Sequence, residues 1–201
     1  MSYNGTQLDL HYINIRHDAT LDDFGAPSFA PIINAIQELL LGKVGELYLF
    51  GNAGSGKSHL VSALQHAHAK TGKTAMFVSL KSILSEDNDA QMLIGLEMFD
   101  LIILDDIHLL AHHRDWQESL FHLINRARQH NRQLVFTANK PVNELEFELM
   151  DLVTRLSQAL SFGLPDGDNE ADRRALIYSI LQQKGLRFDE VIIDFLVAEG
   201  P

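Results

Sequence analysis

Short apolar runs alternate along the chain with longer stretches in which apolar residues recur every three or four positions. The runs predict strands over residues 47–50, 74–79, 101–104, 134–137 and 159–162. Strands that alternate with helices favour a mostly parallel sheet with helices on its faces. We therefore predict an α/β fold built on a parallel five-stranded sheet covered by helices.

Two of the intervening stretches predict helices that pack on this sheet. The first covers residues 57–70 and ends before Gly72. The second follows Asp115 and has an apolar face formed by Trp116, Leu120, Phe121, Leu123 and Ile124. Trp116 is expected to anchor the core, because a large ring at helical spacing is more often used for packing than for ligand binding.

The pattern changes after Pro165. Leu176, Ile177, Ile180 and Leu181 predict an amphipathic helix that stops near Gly185, and residues 191–197 begin another. We interpret this part as the start of a small, incomplete helical lid. The chain then divides into a leader (1–18), an α/β unit (19–164) and the beginning of the lid (165–201).

Composition narrows the class of protein. The 201 residues are 46% hydrophobic, enough for a sizeable core, and contain no cysteine, which excludes disulfides and thiolate metal sites. No signal peptide and no membrane-spanning run is visible, so we expect a cytoplasmic protein without membrane contact. The formal charge of −11 repels bulk nucleic acid, so DNA contact is expected only indirectly, through partners.

A phosphate-binding loop follows the first predicted strand and precedes the first predicted helix. It consists of Gly51, Asn52, Ala53, Gly54, Ser55, Gly56, Lys57 and Ser58. The glycines let successive backbone amides point into one concavity that holds phosphate oxygens. Lys57 is expected to bind the β and γ phosphates, and the Ser58 hydroxyl to hold Mg²⁺.

Polar residues follow two further predicted strands. Asp105 and Asp106 close the run 101–104, at the edge where open α/β sheets place their ligands. Asp105 is a candidate for the Mg²⁺ shell, and Asp106 is placed to orient an attacking water. Asn139 follows the run 134–137 and either contacts the γ phosphate or caps the turn before Pro141.

The spacing of these motifs resembles the AAA+ ATPase module, and within it the DnaA branch of bacterial replication proteins. Residues 20–24 look like the entry segment before the family's adenine pocket, 56–60 like its G-K-[ST]-H-L, and 105–108 like its magnesium strand. The resemblance implies that Asp22, Phe24 and His59 help bind ADP or ATP, and that Asn139 is the first sensor. Arg155, which alone could be an ordinary surface ion pair, falls at the position of the arginine finger.

The leader carries Gln7, Leu8 and Leu10 in a Q-L-x-L pattern, which is similar to the sliding-clamp-binding motif of the Hda family of DnaA regulators. Leucines can enter an apolar pocket while the glutamine makes directed hydrogen bonds. The resemblance implies a regulator that binds the DNA polymerase sliding clamp and presents Arg155 to ATP held by DnaA. Such a protein would prevent over-initiation of replication.

Other functions remain open at this stage. A loader similar to DnaC and IstB would act on a helicase or DNA-remodelling complex, self-associate through its nucleotide face and hydrolyse its own ATP. A small-molecule kinase would need lid arginines near the phosphates, and Arg173 and Arg174 are the only paired candidates. The ten histidines do not recur at ligand spacing, so a metal site built from them is not expected.

Overall fold

The computed structural model describes residues 19–86, 88–165, 170–183 and 186–199. Its strands are β1 (Glu46–Phe50), β2 (Ala75–Ser79), β3 (Leu101–Asp105), β4 (Gln133–Ala138) and β5 (Leu160–Gly163). Its helices are α1 (Ala30–Leu40), α2 (Lys57–Ala69), α3 (Leu80–Ser85), α4 (Arg114–Gln129), α5 (Met150–Leu156), α6 (Glu170–Gln183) and α7 (Glu190–Glu199). Short 3₁₀ turns include Leu21–Phe24 and Ile107–Leu110.

All five strands pair in parallel, in the order β2-β3-β4-β1-β5, which confirms the predicted α/β fold. The predicted strand limits are wrong by one residue at one or both ends. The helices over 30–40, 80–85 and 150–156 were not predicted. These helices are short or lie outside the strongest periodic stretches, so their packing on the sheet decides them.

The central strands β1, β3 and β4 are buried on both faces, and the side chains of β3 show the division. Ile102 and Leu104 face the layer of α3, α4 and α5, whereas Leu101 and Ile103 face the layer of α1 and α2. Trp116 is buried in the first layer, as expected of a core anchor. This double burial explains why the strands read as continuous apolar runs.

The lid helices α6 and α7 pack on each other through Leu181, Ile193 and Val197. Helix α6 also packs against the Leu21–Phe24 turn, so the lid lies beside the entry segment. Both lid helices agree with the sequence pattern. The clamp-motif residues Gln7, Leu8 and Leu10 lie outside the described residues. Within the described parts of the chain, no helix is long and apolar enough to cross a bilayer.

Candidate functional site

The predicted phosphate loop connects the end of β1 to the start of α2. Gly54 and Gly56 adopt φ angles of +85° and +88°, which disfavour side-chain-bearing residues. A Cβ atom on Gly51 would lie 2.8 Å from the Ser55 hydroxyl oxygen and 3.3 Å from the Cβ atom of Leu164, so a side chain there would require its neighbours to shift. The glycines thus have two physical roles: two permit the backbone turn, and one permits close packing.

Lys57 bridges the two ends of this loop. Its Nζ atom donates hydrogen bonds to the carbonyl oxygens of Gly51, at 2.7 Å, and Asn52, at 2.8 Å. The side chain is buried, because the loop folds over it. The ammonium group therefore sits inside the loop, where an anionic ligand can compete for its hydrogens.

Ser58 and Asp105 meet at the carboxyl edge of the sheet. The Ser58 hydroxyl donates to Oδ2 of Asp105 at 3.1 Å, and the Thr137 hydroxyl donates to Oδ1 of the same carboxylate. Burial raises the pKa of Asp105, and the hydrogen bonds from Thr137 and Ser58 oppose that rise. The loop and the acidic strand therefore converge, as the sequence predicted.

Ser58 and Asp105 offer oxygen atoms, which are the ligands that Mg²⁺ prefers. Proteins usually supply only one or two of the Mg²⁺ ligands, and phosphate groups and water supply the others. The described residues contain no group of three or more His, Asp or Glu side chains that could form a metal cage. The pair therefore fits a metal that arrives with a phosphate ligand, not a closed structural site.

Asp106 leaves the strand in a left-handed conformation, with φ of +63° and ψ of +43°. Its backbone N–H donates to the Thr137 hydroxyl at 2.8 Å, and its carboxylate lies 3.9 Å from Nδ1 of His108. Burial lowers the pKa of His108, while the nearby Asp106 acts in the opposite direction. The turn directs the Asp106 side chain differently from that of Asp105, so the two acids have different surroundings.

The entry segment, residues 20–24, lies beside the phosphate loop. Phe24 is buried, with its ring 5.3 Å from that of His59 and 3.8 Å from the Cβ position of Gly56. His59 Nε2 lies 2.8 Å from an oxygen of Asp23, and Asp22 is exposed on the same turn. Phe24 and His59 therefore form one wall beside the loop.

Asn139 is exposed directly after β4, at the same edge of the sheet as Asp105. Arg155 lies elsewhere. It occupies the last turn of α5, and its guanidinium carbon is 5.9 Å from the centroid of the Phe121 ring. In the described part of the chain, Arg155 forms no ion pair with a carboxylate. The structure thus gathers the loop, Asp105, Asp106 and Asn139 at one edge and leaves Arg155 apart from them.

Sequence reasoning missed two residues of the site. Thr137 was assigned only as part of a strand, although its hydroxyl group contacts the carboxylate of Asp105 and the backbone N–H of Asp106. Asp23, which pairs with His59, also caps its own turn through the backbone and hydroxyl of Thr20. A polar residue inside an apolar run was the available signal for Thr137, and the T-x-x-D capping pattern for Asp23.

Comparisons with known proteins agree with this geometry. Residues 32–165 match the family of the bacterial DnaA ATPase domain. A chromosomal replication initiator protein DnaA from Chlorobaculum tepidum is 29% identical over 159 residues, covering 75% of this chain and 32% of that protein. An uncharacterized protein from Haemophilus influenzae is 27% identical over 192 residues, covering 94% of this chain and 80% of that protein. The chain spans about a third of the length of the curated DnaA proteins it matches.

Among solved structures, AMPPCP-bound DnaA from Aquifex aeolicus has the same fold, with a TM-score of 0.79 and 20% identity. The match covers 92% of this chain and 62% of that one. The family match over residues 32–165, together with the parallel sheet and the phosphate loop, shows that the chain belongs to the bacterial DnaA ATPase-domain family, a branch of the AAA+ ATPases.

Proposed function

We propose that the chain binds ADP or ATP with Mg²⁺ at the phosphate loop. Residues 51–56 cradle the phosphates, Lys57 exchanges its carbonyl partners for phosphate oxygens, and Ser58 with Asp105 holds the metal. The base lies on the wall formed by Phe24 and His59, with Asp22 nearby. Mg²⁺ would neutralise phosphate charge when bound, and Asp106 and Asn139 border the γ-phosphate side.

We further propose that this nucleotide-bound protein regulates replication initiation by stimulating hydrolysis of ATP held by DnaA. In this role Arg155 is an arginine finger that acts in trans, stabilising the negative charge that develops on the transferred phosphoryl group. The leader would bind the sliding clamp through Gln7, Leu8 and Leu10, and so bring the finger to DnaA at replicating DNA.

The position of Arg155 is the observation that carries this proposal. Arg128 donates to the backbone oxygen of Arg155 at 3.1 Å and also pairs with Glu46, the first residue of β1. The phosphate loop begins after Phe50, at the other end of the same strand. Glu46 and Phe50 are about 13 Å apart, at 3.3 Å per residue. Arg155 therefore lies towards the amino edge of the sheet, which supports an action on a neighbour's nucleotide and not on its own.

The side chain of Arg155 is also available to contact a phosphate group bound by a partner protein. Its guanidinium rests near the Phe121 ring, an interaction of about 0.5–1 kcal/mol at a partly exposed site. A carboxylate partner would hold the charge more firmly and neutralise it. A guanidinium positioned by an aromatic ring keeps its charge and its donors for an incoming phosphate.

The test measures hydrolysis of radiolabelled ATP bound to DnaA, in the presence of this protein, ADP and clamps loaded on DNA. Arg155→Ala should remove the stimulation and leave nucleotide binding by the variant unchanged. Arg114→Ala, on the exposed start of α4, is the matched control and should stimulate normally. Full stimulation by Arg155→Ala would refute the finger assignment.

A separate pull-down tests the leader. The sliding clamp should retain the wild-type protein and fail to retain Gln7→Ala/Leu8→Ala. Equal retention of both proteins would contradict clamp binding through this motif, and would leave nucleotide binding and the finger assignment to be judged by the hydrolysis assay.

The alternative is a loader that uses its own ATP, like DnaC or IstB. Its support is that Lys57, Ser58, Asp105 and Asp106 together provide the groups for hydrolysis within one chain. Such a loader should oligomerise with ATP, using Arg155 against the nucleotide face of a second copy. Unaided ATP turnover that rises with protein concentration and is lost in Arg155→Ala would favour this function.

A further inference from the structure

The residue that organises the two acids is Thr137, near the carboxyl end of β4. Its side chain is fully buried, and its hydroxyl group has both hydrogen-bonding roles occupied. The oxygen accepts the backbone N–H of Asp106 at 2.8 Å, and the hydroxyl hydrogen is donated to Oδ1 of Asp105. One side chain on β4 thus holds both Asp105, the last residue of β3, and Asp106, the first residue after the strand.

These contacts make the two oxygens of Asp105 inequivalent. Oδ1 is occupied by Thr137, whereas Oδ2 faces the Ser58 hydroxyl on the first turn of α2. A carboxylate without the first contact could rotate about its terminal torsion, which is broad and roughly two-fold. Thr137 therefore fixes the plane of the carboxylate and leaves Oδ2 directed at the loop.

We infer that Thr137 is a positioning residue that sets the Mg²⁺ affinity of the nucleotide site by presenting Oδ2 of Asp105, beside Ser58, to the metal. Hydrogen-bond partners that orient metal ligands typically change metal affinity by about 10- to 100-fold when removed. The inference rests on the proposed nucleotide site, because Mg²⁺ is expected there with phosphate ligands.

The residue type agrees with this role. Threonine is β-branched, so its χ1 angle is restricted on a strand and its hydroxyl is held in one direction. The pairing of β3 with β4 runs up to Leu104 and Phe136, which brings Asp105 and Thr137 next to each other at the end of the ladder. Valine has a similar shape and would fill the same space, but it would leave Oδ1 of Asp105 and the N–H of Asp106 without their Thr137 partner.

The experiment follows a fluorescent ADP analogue bound to the full chain while Mg²⁺ is titrated, with a parallel titration in EDTA. Thr137→Val should raise the apparent Kd for Mg²⁺ by about 10- to 100-fold and leave nucleotide affinity in EDTA unchanged. Thr137→Ser, which keeps the hydroxyl, should restore most of the wild-type Mg²⁺ affinity. This difference between metal-dependent and metal-free affinity would not arise from a purely structural role.

A second pair of variants covers the case in which Thr137→Val does not fold. Thr137→Ala and Thr137→Ser both lose the methyl group, so their ratio of Mg²⁺ affinities reports the hydroxyl alone. Equal Mg²⁺ affinity in that pair, or wild-type Mg²⁺ affinity in Thr137→Val, would overturn the inference. Equal losses in Mg²⁺ and in EDTA would do the same, and a wild-type chain that binds no nucleotide would instead overturn the proposed site itself.

Discussion

Replacing Arg128 with Met removes the side chain that joins α4, β1 and the end of α5. Its guanidinium contacts both carboxylate oxygens of Glu46, at 2.5 and 2.7 Å, and the side-chain oxygen of Gln158 at 2.7 Å. It also donates to the backbone oxygen of Arg155. Arg128→Met should therefore destabilise the fold and loosen the segment that carries the proposed finger.

The size of the effect follows from the burial of the pair. Arg128 and Glu46 are 25% and 13% exposed, between a surface pair worth about 0–1 kcal/mol and a fully buried pair whose disruption costs about 3–5 kcal/mol. We expect about 2 kcal/mol for the unpaired Glu46 and about 1 kcal/mol for the remaining hydrogen bonds. A loss of about 3 kcal/mol should lower Tm by about 6–12 °C in a domain of this size.

Thermal and urea unfolding of four proteins test this value: wild type, Arg128→Met, Glu46→Gln and the double variant. The double variant should be more stable than the sum of the single losses predicts, because it leaves no unpaired carboxylate. Arg114→Met is the control, since its pair with Glu118 is half exposed. If Arg128→Met lowers stability no more than Arg114→Met does, the assigned role of Arg128 is wrong.

For three further substitutions, the burial of the side chain determines whether stability rises or falls. Asp105→Asn should stabilise the ligand-free protein at neutral pH, because burial raises the pKa of Asp105 and the fold favours its uncharged form. The same variant should lose Mg²⁺-dependent nucleotide binding, and a lower stability in urea unfolding would contradict the first expectation. Burial also lowers the pKa of His68, so the free energy of unfolding should fall as the pH drops below about 6.5, where the unfolded chain takes up the proton more readily. Urea unfolding between neutral and mildly acidic pH should show a flatter profile for His68→Gln, and an unchanged profile would contradict this. Trp116→Ala should cost about 3–5 kcal/mol through loss of buried ring contacts, and a change below about 1 kcal/mol in urea unfolding would show that Trp116 is not a core anchor.

The phosphate loop and the α/β class could be predicted because their signals are local. The loop chemistry lies within eight consecutive residues, and the buried strands are continuous apolar runs between more polar segments. Helix α5 escaped prediction because its seven residues carry a short and weak periodic signal. Its contacts with α4 and the sheet supply the stability that so short a helix lacks on its own.

The candidate site was predictable only in part, since several of its contacts join residues distant in sequence. Ser58 and Asp105 were paired correctly from their motifs, and the structure shows them 3.1 Å apart. Thr137 was missed because its role depends on which strand lies beside β3, and strand order is not written in any local pattern. Arg155 was singled out by resemblance, and its distance from the loop could not be read from its neighbours.

By itself, the sequence determined which segments form buried strands and which residues can surround a phosphate group, because hydrophobic period and glycine spacing act over a few residues. Tertiary structure decided which oxygen of Asp105 faces the loop, which carbonyl groups Lys57 holds, and at which edge of the sheet Arg155 lies. Those outcomes depend on the order β2-β3-β4-β1-β5, since parallel pairing brings together groups that are tens of residues apart along the chain.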